Sequence, residues 1–120
     1  MKKTRNLSNK PQFSTNAWAY LRSTACDGQN INHQKDQIIN YCDRFGIALD
    51  QVFIDKAISG RTTSVREALN DLIDKTEDVE NRPTYLLVSD LSRFSRNSDD
   101  LLFFKDVLQK RGIIMQSITD

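Results

Sequence analysis

Residues 84–91, TYLLVSDL, are so apolar that a strand built from them has no face to give to water. Such a strand needs helices on both sides of its sheet, which commits the chain to a layered α/β architecture. Three further strand signals fit this frame: residues 17–22 (AWAYLR), 51–55 (QVFID) and 113–118 (IIMQSI). The stretches between them carry helical spacing. Ile31, Lys35, Ile38, Ile39, Cys42 and Phe45 mark the first helix, and Gly46 follows where a left-handed C-terminal glycine belongs. Ser64 with Glu67 three residues on reads as a capping box, ahead of an apolar face of Val65, Ala68, Leu69, Leu72 and Ile73. A third helix starts near Ser98, buries Leu101, Leu102, Phe104 and Leu108, and ends at Gly112. The order β-α-β-α-β-α-β predicts one three-layer domain over residues 16–120 with a mostly parallel central sheet. Residues 1–15 are polar, contain Pro11 and show no period, so they are expected to be a flexible lead-in. The sequence stops directly after the last strand, and further parts are expected beyond Asp120.

Several function classes fall away on composition. The 120 residues hold 17 basic and 16 acidic side chains, a net charge of +1, so no global basic footprint marks a nucleic-acid binder. Any anion site must come from local clustering. Two cysteines, Cys26 and Cys42, are too few for a disulfide scaffold or zinc site and suit reduced thiols in the cytoplasm. No apolar stretch approaches the roughly 18 residues of a membrane helix, and no membrane partner is expected. Neither a secretory signal nor a GxxxxGK[ST] loop is present, and the chain has four glycines. The one histidine, His33, lies on the first expected helix, where a packing or surface role is the ordinary one. No metal and no cofactor is expected.

The chemistry-bearing residues gather at the strand ends. Strand one ends in Arg22-Ser23-Thr24. Strand two ends in Asp55, followed by Ser59, Gly60, Arg61 and Arg66. Strand three ends in Asp90, followed by Ser92, Arg93, Phe94, Ser95 and Arg96. In open α/β sheets ligands bind beyond the carboxyl ends of the strands, and five of the nine arginines fall there. Guanidinium presents a charged fork matched to phosphate oxygens. An alcohol among such groups suits phosphoryl transfer through a covalent intermediate, because the cations stabilise the charge of a pentacovalent phosphorus. Magnesium-dependent readings are less favoured. A receiver-like signalling domain needs acids after strand one, where Arg22 stands. A metal-dependent nuclease using Asp55, Asp90 and Asp99 meets repulsion from the interleaved arginines.

Taken in order, these residues resemble the catalytic domain of the serine recombinases, the resolvase and invertase family. Tyr20-Leu21-Arg22 with Gln29 and Gln34 is similar to the family's opening motif. Asp55 to Gly60, with Ser59, matches its Asp-x-x-x-Ser-Gly loop, and Arg66 fits its following arginine. Leu91-Ser92-Arg93-Phe94-Ser95-Arg96 matches its Arg-bearing segment, with Ser92 where Asp is common. The resemblance runs from about residue 17 to 118. It implies a resolvase-like catalytic fold and site-specific recombination of double-stranded DNA. Cleavage and rejoining would run through a 5′-phosphoseryl or phosphothreonyl link, without metal or ATP. It also implies a homodimer or tetramer, a dimer-forming helix and a DNA-binding domain outside these residues. By the same resemblance Arg22, Arg66, Arg93 and Arg96 bind the scissile phosphate. Tyr20, Gln29, Gln34, Asp55, Ser59, Gly60 and Ser92 position the reacting groups.

The nucleophile has two candidates. Counted strictly from Arg22, Thr24 stands at the reactive position and shares the strand face of Arg22. The stretch from Arg22 to Gln29 is one residue longer than the family pattern, and a bulge there would free Ser23, the less hindered alcohol. On that ground Ser23 is ranked marginally ahead of Thr24. A non-enzymatic DNA-binding or assembly protein with the same fold is the competing reading.

Overall fold

The computed structural model describes residues 15–23, 28–56, 67–91 and 98–119. Strand β1 spans Thr15–Arg22, β2 Ile47–Asp55, β3 Tyr85–Val88 and β4 Ile114–Ser117; helix α1 spans Gly28–Phe45, α2 Glu67–Lys75 and α3 Ser98–Lys110. A short 3-10 turn, Val79–Asn81, follows α2. The four strands form one sheet in the order β2-β1-β3-β4, with all three pairings parallel. Among the described residues no helix is long and apolar enough to cross a membrane.

Alternation along β1 divides the core in two. Ala17, Ala19 and Leu21 face α1 and pack with Ile31, Ile38, Cys42 and Leu87. Trp18 and Tyr20 face the other way and pack with Phe53, Leu69, Leu72, Leu86, Val88 and Leu108. Parallel crossovers are right-handed, so the step from β1 out to β2 and the steps back across to β3 and β4 put their helices on opposite faces. Hence α1 lies alone on one side, and α2 and α3 share the other. The outcome is the expected three-layer α/β domain, with a sheet that is wholly parallel.

Local chemistry sets the element ends. Gly46 and Gly112 close α1 and α3 at φ 67° and 79°, a region where side chains other than hydrogen are strained. Strand β1 starts at Thr15, two residues before its apolar run, because Asn16 fastens that end: its Nδ2 donates to Asp50 Oδ2 (3.0 Å) and its main-chain oxygen takes the Thr84 amide (3.0 Å). Strand β2 starts at Ile47, four residues before its most apolar stretch. The register slips between Ala17 and Trp18, whose partners are Leu49 and Gln51, so Asp50 is the extra residue of a bulge. Polar residues at that bulge hid the front of the strand from its hydrophobic pattern.

Burial refines the helix faces on α1 and corrects one residue on α3. On α1 the buried stripe runs through Ile31, Gln34, Ile38 and Cys42, and Lys35 is exposed. Phe45, at 58% exposure, and Ile39, at 37%, lie at the edge of that stripe and not within it. On α3 Leu102 is 64% exposed, because Leu101, Phe104 and Leu108 already fill the contact with the sheet.

Candidate active site

The strand order changes direction between β1 and β3, since the chain leaves β1 towards β2 and returns on the far side. A crevice opens at the carboxyl ends of such a pair of strands. Arg22 and Ser23 stand at the end of β1 on this crevice, and Ser89 and Asp90 follow the end of β3. The β1–β2 ladder carries on past Arg22: the Ser23 amide donates to the Asp55 main-chain oxygen at 3.1 Å. Ser23 is buried, with 6% of its surface exposed, and Arg22 is half-buried.

Asp55 ties three elements together. Its Oδ1 accepts the Ala68 amide (2.8 Å), and its Oδ2 accepts the Leu69 amide (3.1 Å) and the Tyr20 hydroxyl (2.7 Å). Ala68 and Leu69 are in the first turn of α2, where amides have no partner within the helix and the helix dipole favours negative charge. A carboxylate from the end of β2 therefore does the work of an N-cap, and docks α2 onto the site. The capping box proposed at Ser64 falls outside the described residues. This remote cap leaves no trace in local sequence, since Asp55 and Ala68 are 13 positions apart.

On the opposite face Gln34, 1% exposed, reaches from α1 to the last residue of β1. Its Nε2 donates to Arg22 O (2.9 Å), and its Oε1 accepts the Arg22 amide (3.4 Å). Of the residues expected at the site, the structure thus brings together Tyr20, Arg22, Ser23, Gln34 and Asp55. Gln29 is the second residue of α1, with its side chain outside the described part. Thr24, Ser59, Gly60, Arg61, Arg66, Ser92, Arg93 and Arg96 also lie outside it. The acids weighed as a metal cradle, Asp55, Asp90 and Asp99, form no cluster able to hold an ion among the described residues. Cys42 is no rival nucleophile: burial, and then the charge of Asp43, push its thiol up from its ordinary value, which keeps it protonated.

The Asp55 arrangement has a measurable consequence. Asp55→Ala strands two helix-end amides and a phenol, and losing such a cap with its buried partners costs about 1–3 kcal/mol. At roughly 4–8 °C per kcal/mol for a domain near this size, the melting temperature should fall by about 10 °C. Asp55→Asn keeps an acceptor for the helix and should lose less than half as much. Thermal melts of the two variants side by side test the cap, and equal losses would show that the charge and not the hydrogen bonds matters.

A parallel 2-1-3-4 sheet with an arginine and a hydroxyl at its switch point defines a doubly wound α/β domain with its candidate site at the carboxyl ends of the strands. The chain belongs to the resolvase family: the family model "Resolvase, N terminal domain" matches residues 17–120. Two curated relatives, each called "Resolvase" and both from Clostridium perfringens, are 29% identical over 94 residues and 30% over 92. They match 78% and 77% of this chain but 44% and 43% of their own lengths, so the chain spans under half of each. Among solved structures, a resolvase family site-specific recombinase from Streptococcus pneumoniae superposes with a TM-score of 0.80 at 20% identity, covering 88% of this chain and 72% of that one. The N-terminal catalytic domain of TP901-1 integrase gives a TM-score of 0.70 at 30% identity, covering 87% and 77%. The first of these likenesses speaks to fold alone.

Proposed function

We propose that this chain is the catalytic part of a site-specific recombinase that cuts and rejoins double-stranded DNA through a covalent protein–phosphate link. The observation that carries the reading is the end of β1. A guanidinium and a hydroxyl-bearing segment sit at the switch-point crevice, on a strand end gripped by Gln34 on one side and by Asp55 on the other. Preorganised charge of this kind favours the transition state of phosphoryl transfer. The hydroxyl oxygen bonds to the scissile phosphorus as the bond from phosphorus to the 3′-oxygen breaks. The leaving 3′-oxygen gains a proton and the nucleophile loses one. The 5′-phosphate stays on the protein until a 3′-hydroxyl attacks it in reverse, so the bond energy is conserved and neither metal nor ATP is consumed.

In this reading Arg22, with Arg66, Arg93 and Arg96, neutralises the phosphate. Tyr20, Gln29, Gln34, Asp55, Ser59, Gly60 and Ser92 position the reacting groups. The partners are DNA and further copies of the protein, as dimer or tetramer, in the cytoplasm. Thr24 is the preferred nucleophile. Support comes from the Ser23 amide, which stays in the β1–β2 ladder, and from the burial of Ser23. Neither fits a strand end that has bulged to free Ser23. Strict counting of the sequence from Arg22 also favours Thr24 as the hydroxyl on the side of Tyr20 and Arg22.

The test is covalent trapping. The intact protein, mixed with a nicked duplex carrying its recombination site and excess chelator, should yield a protein–DNA adduct that survives denaturation. DNA bound without adduct would favour a non-enzymatic protein of the same fold. An adduct lost to chelator would favour metal-dependent cleavage.

A further inference from the structure

The inner edge of β1 raises a bookkeeping problem that Gln34 solves. In a strand the amide and carbonyl of one residue point to the same edge, and those of the next residue to the other. The Ser23 amide points at β2, where it meets Asp55 O. The amide and carbonyl of Arg22 therefore point the other way, to the β3 edge, as does Asn16 O, which takes the Thr84 amide on that side. The β1–β3 register runs only from Ala17 opposite Tyr85 to Ala19 opposite Leu87, and β3 ends at Val88. Arg22 lies three residues past the last paired position, so its donor and acceptor fall beyond the end of that ladder.

We infer that Gln34 is a positioning residue whose side-chain amide stands in for the missing peptide group of β3. A primary carboxamide offers one donor and one acceptor side by side, the same pair that a neighbouring strand presents. Here Nε2 donates to Arg22 O and Oε1 accepts from Arg22 N, so both main-chain groups of one residue are met by one side chain. The site is dry, since Gln34 is 1% exposed, and water does not substitute for it freely. The residue sits on the buried stripe of α1, one helical turn before Ile38 and two before Cys42, so the helix that packs the sheet also carries the clamp. Gln34 thus lets the sheet split open for substrate while the strand end bearing Arg22 stays in strand geometry. It acts through Arg22 and makes no contact with DNA.

This inference rests on the proposed role of Arg22, and its test separates the two. Gln34→Met keeps the length and shape of the side chain and removes both hydrogen bonds. The first readout needs no activity: hydrogen exchange of the Arg22 amide should speed up by about 10-fold or more, the scale of one lost hydrogen bond, with the core of α1 unchanged. The second is adduct formation by the intact protein on nicked duplex. Its rate should fall by about 10²-fold, on the order of losing one preorganised donor, while affinity for the same duplex stays within about twofold. Gln34→Glu serves as the second variant. It retains an acceptor for the Arg22 amide but sets a carboxylate oxygen against Arg22 O, so it should lose adduct formation as well. Unchanged Arg22 exchange in Gln34→Met would overturn the clamp, whatever happens to activity. So would a loss of DNA affinity equal to the loss in rate, which would mark Gln34 as a DNA contact. If the unmodified protein forms no adduct, the recombinase reading fails, and the exchange result still decides the clamp.

Discussion

Thr24→Val should abolish the covalent adduct, and Ser23→Ala should leave it within a few-fold of the unmodified protein. Removing the attacking oxygen eliminates the bond-forming atom, so the expected loss is on the order of 10³-fold or more in adduct rate. Val preserves the branched shape of Thr, which keeps packing nearly constant and leaves chemistry as the difference. The ranking reverses what the loop length alone suggests. One additional residue before Gln29 argues for a disturbed strand end and for Ser23. Against that, the Ser23 amide bonds Asp55 O at 3.1 Å and Ser23 is 6% exposed, so the described strand end keeps its pairing with β2 through Ser23. The bulge that β1 and β2 do contain lies at the other end, beside Ala17 and Trp18. A buried hydroxyl on a residue whose amide stays in the ladder is poorly placed for in-line attack on a phosphate. Threonine is the more hindered alcohol, yet geometry sets the larger factor, since reacting atoms must approach within about 3–3.5 Å and in line. Mapping the adduct to one residue after proteolysis decides the matter: an adduct on Ser23 that survives in Thr24→Val restores the opposite order.

What the sequence revealed, and what it hid, follows from the range of the interactions. The strands were legible because TYLLVSDL and AWAYLR announce burial on both faces, and each side chain there acts on its own position. Gly46 and Gly112 were legible because a positive φ selects glycine locally. The start of β2 was not, since Ala48 and Asp50 dilute the pattern at a bulge that only pairing with β1 defines. On α1 the helical spacing that marks the element includes Lys35, which is exposed, and passes over Gln34, which is inside, because a buried glutamine looks polar until its partner is known. The same holds for the site. Tyr20, Arg22 and Asp55 were picked out by motif, but nothing local shows that Asp55 caps a helix beginning 12 residues later at Glu67. Interactions that join distant positions carry no periodic signal, and they are the ones that assemble the crevice.

The second large effect concerns the cation at the strand end. Arg22→Ala should reduce adduct formation by about 10²–10³-fold, the scale for one preorganised charge aimed at developing negative charge. Stability should barely move, by about 0.5 kcal/mol or less, as for surface changes that break no buried network. The two expectations are compatible because the roles of Arg22 are divided between backbone and side chain. Its amide and carbonyl carry the contacts that hold the strand, to Gln34, and Ala retains both. Its guanidinium is half-buried at the crevice, and among the described residues no carboxylate pairs with it. The acid opposite it in the ladder, Asp55, gives its oxygens to Tyr20 and α2. A cation that no carboxylate among the described residues neutralises suits an incoming phosphate. Arg22→Lys then gives the finer reading. Lysine restores the charge but not the planar fork, so it should recover binding more than rate. For both variants DNA affinity at fixed salt should change by much less than adduct rate, and the slope of log affinity against log salt should fall by no more than about 1, the share of a single phosphate contact. Melting curves, binding isotherms and adduct rates on one set of samples test this together. A melting temperature that collapses in Arg22→Ala, with normal cleavage per folded molecule, would return Arg22 to a structural role and remove the cation from the mechanism.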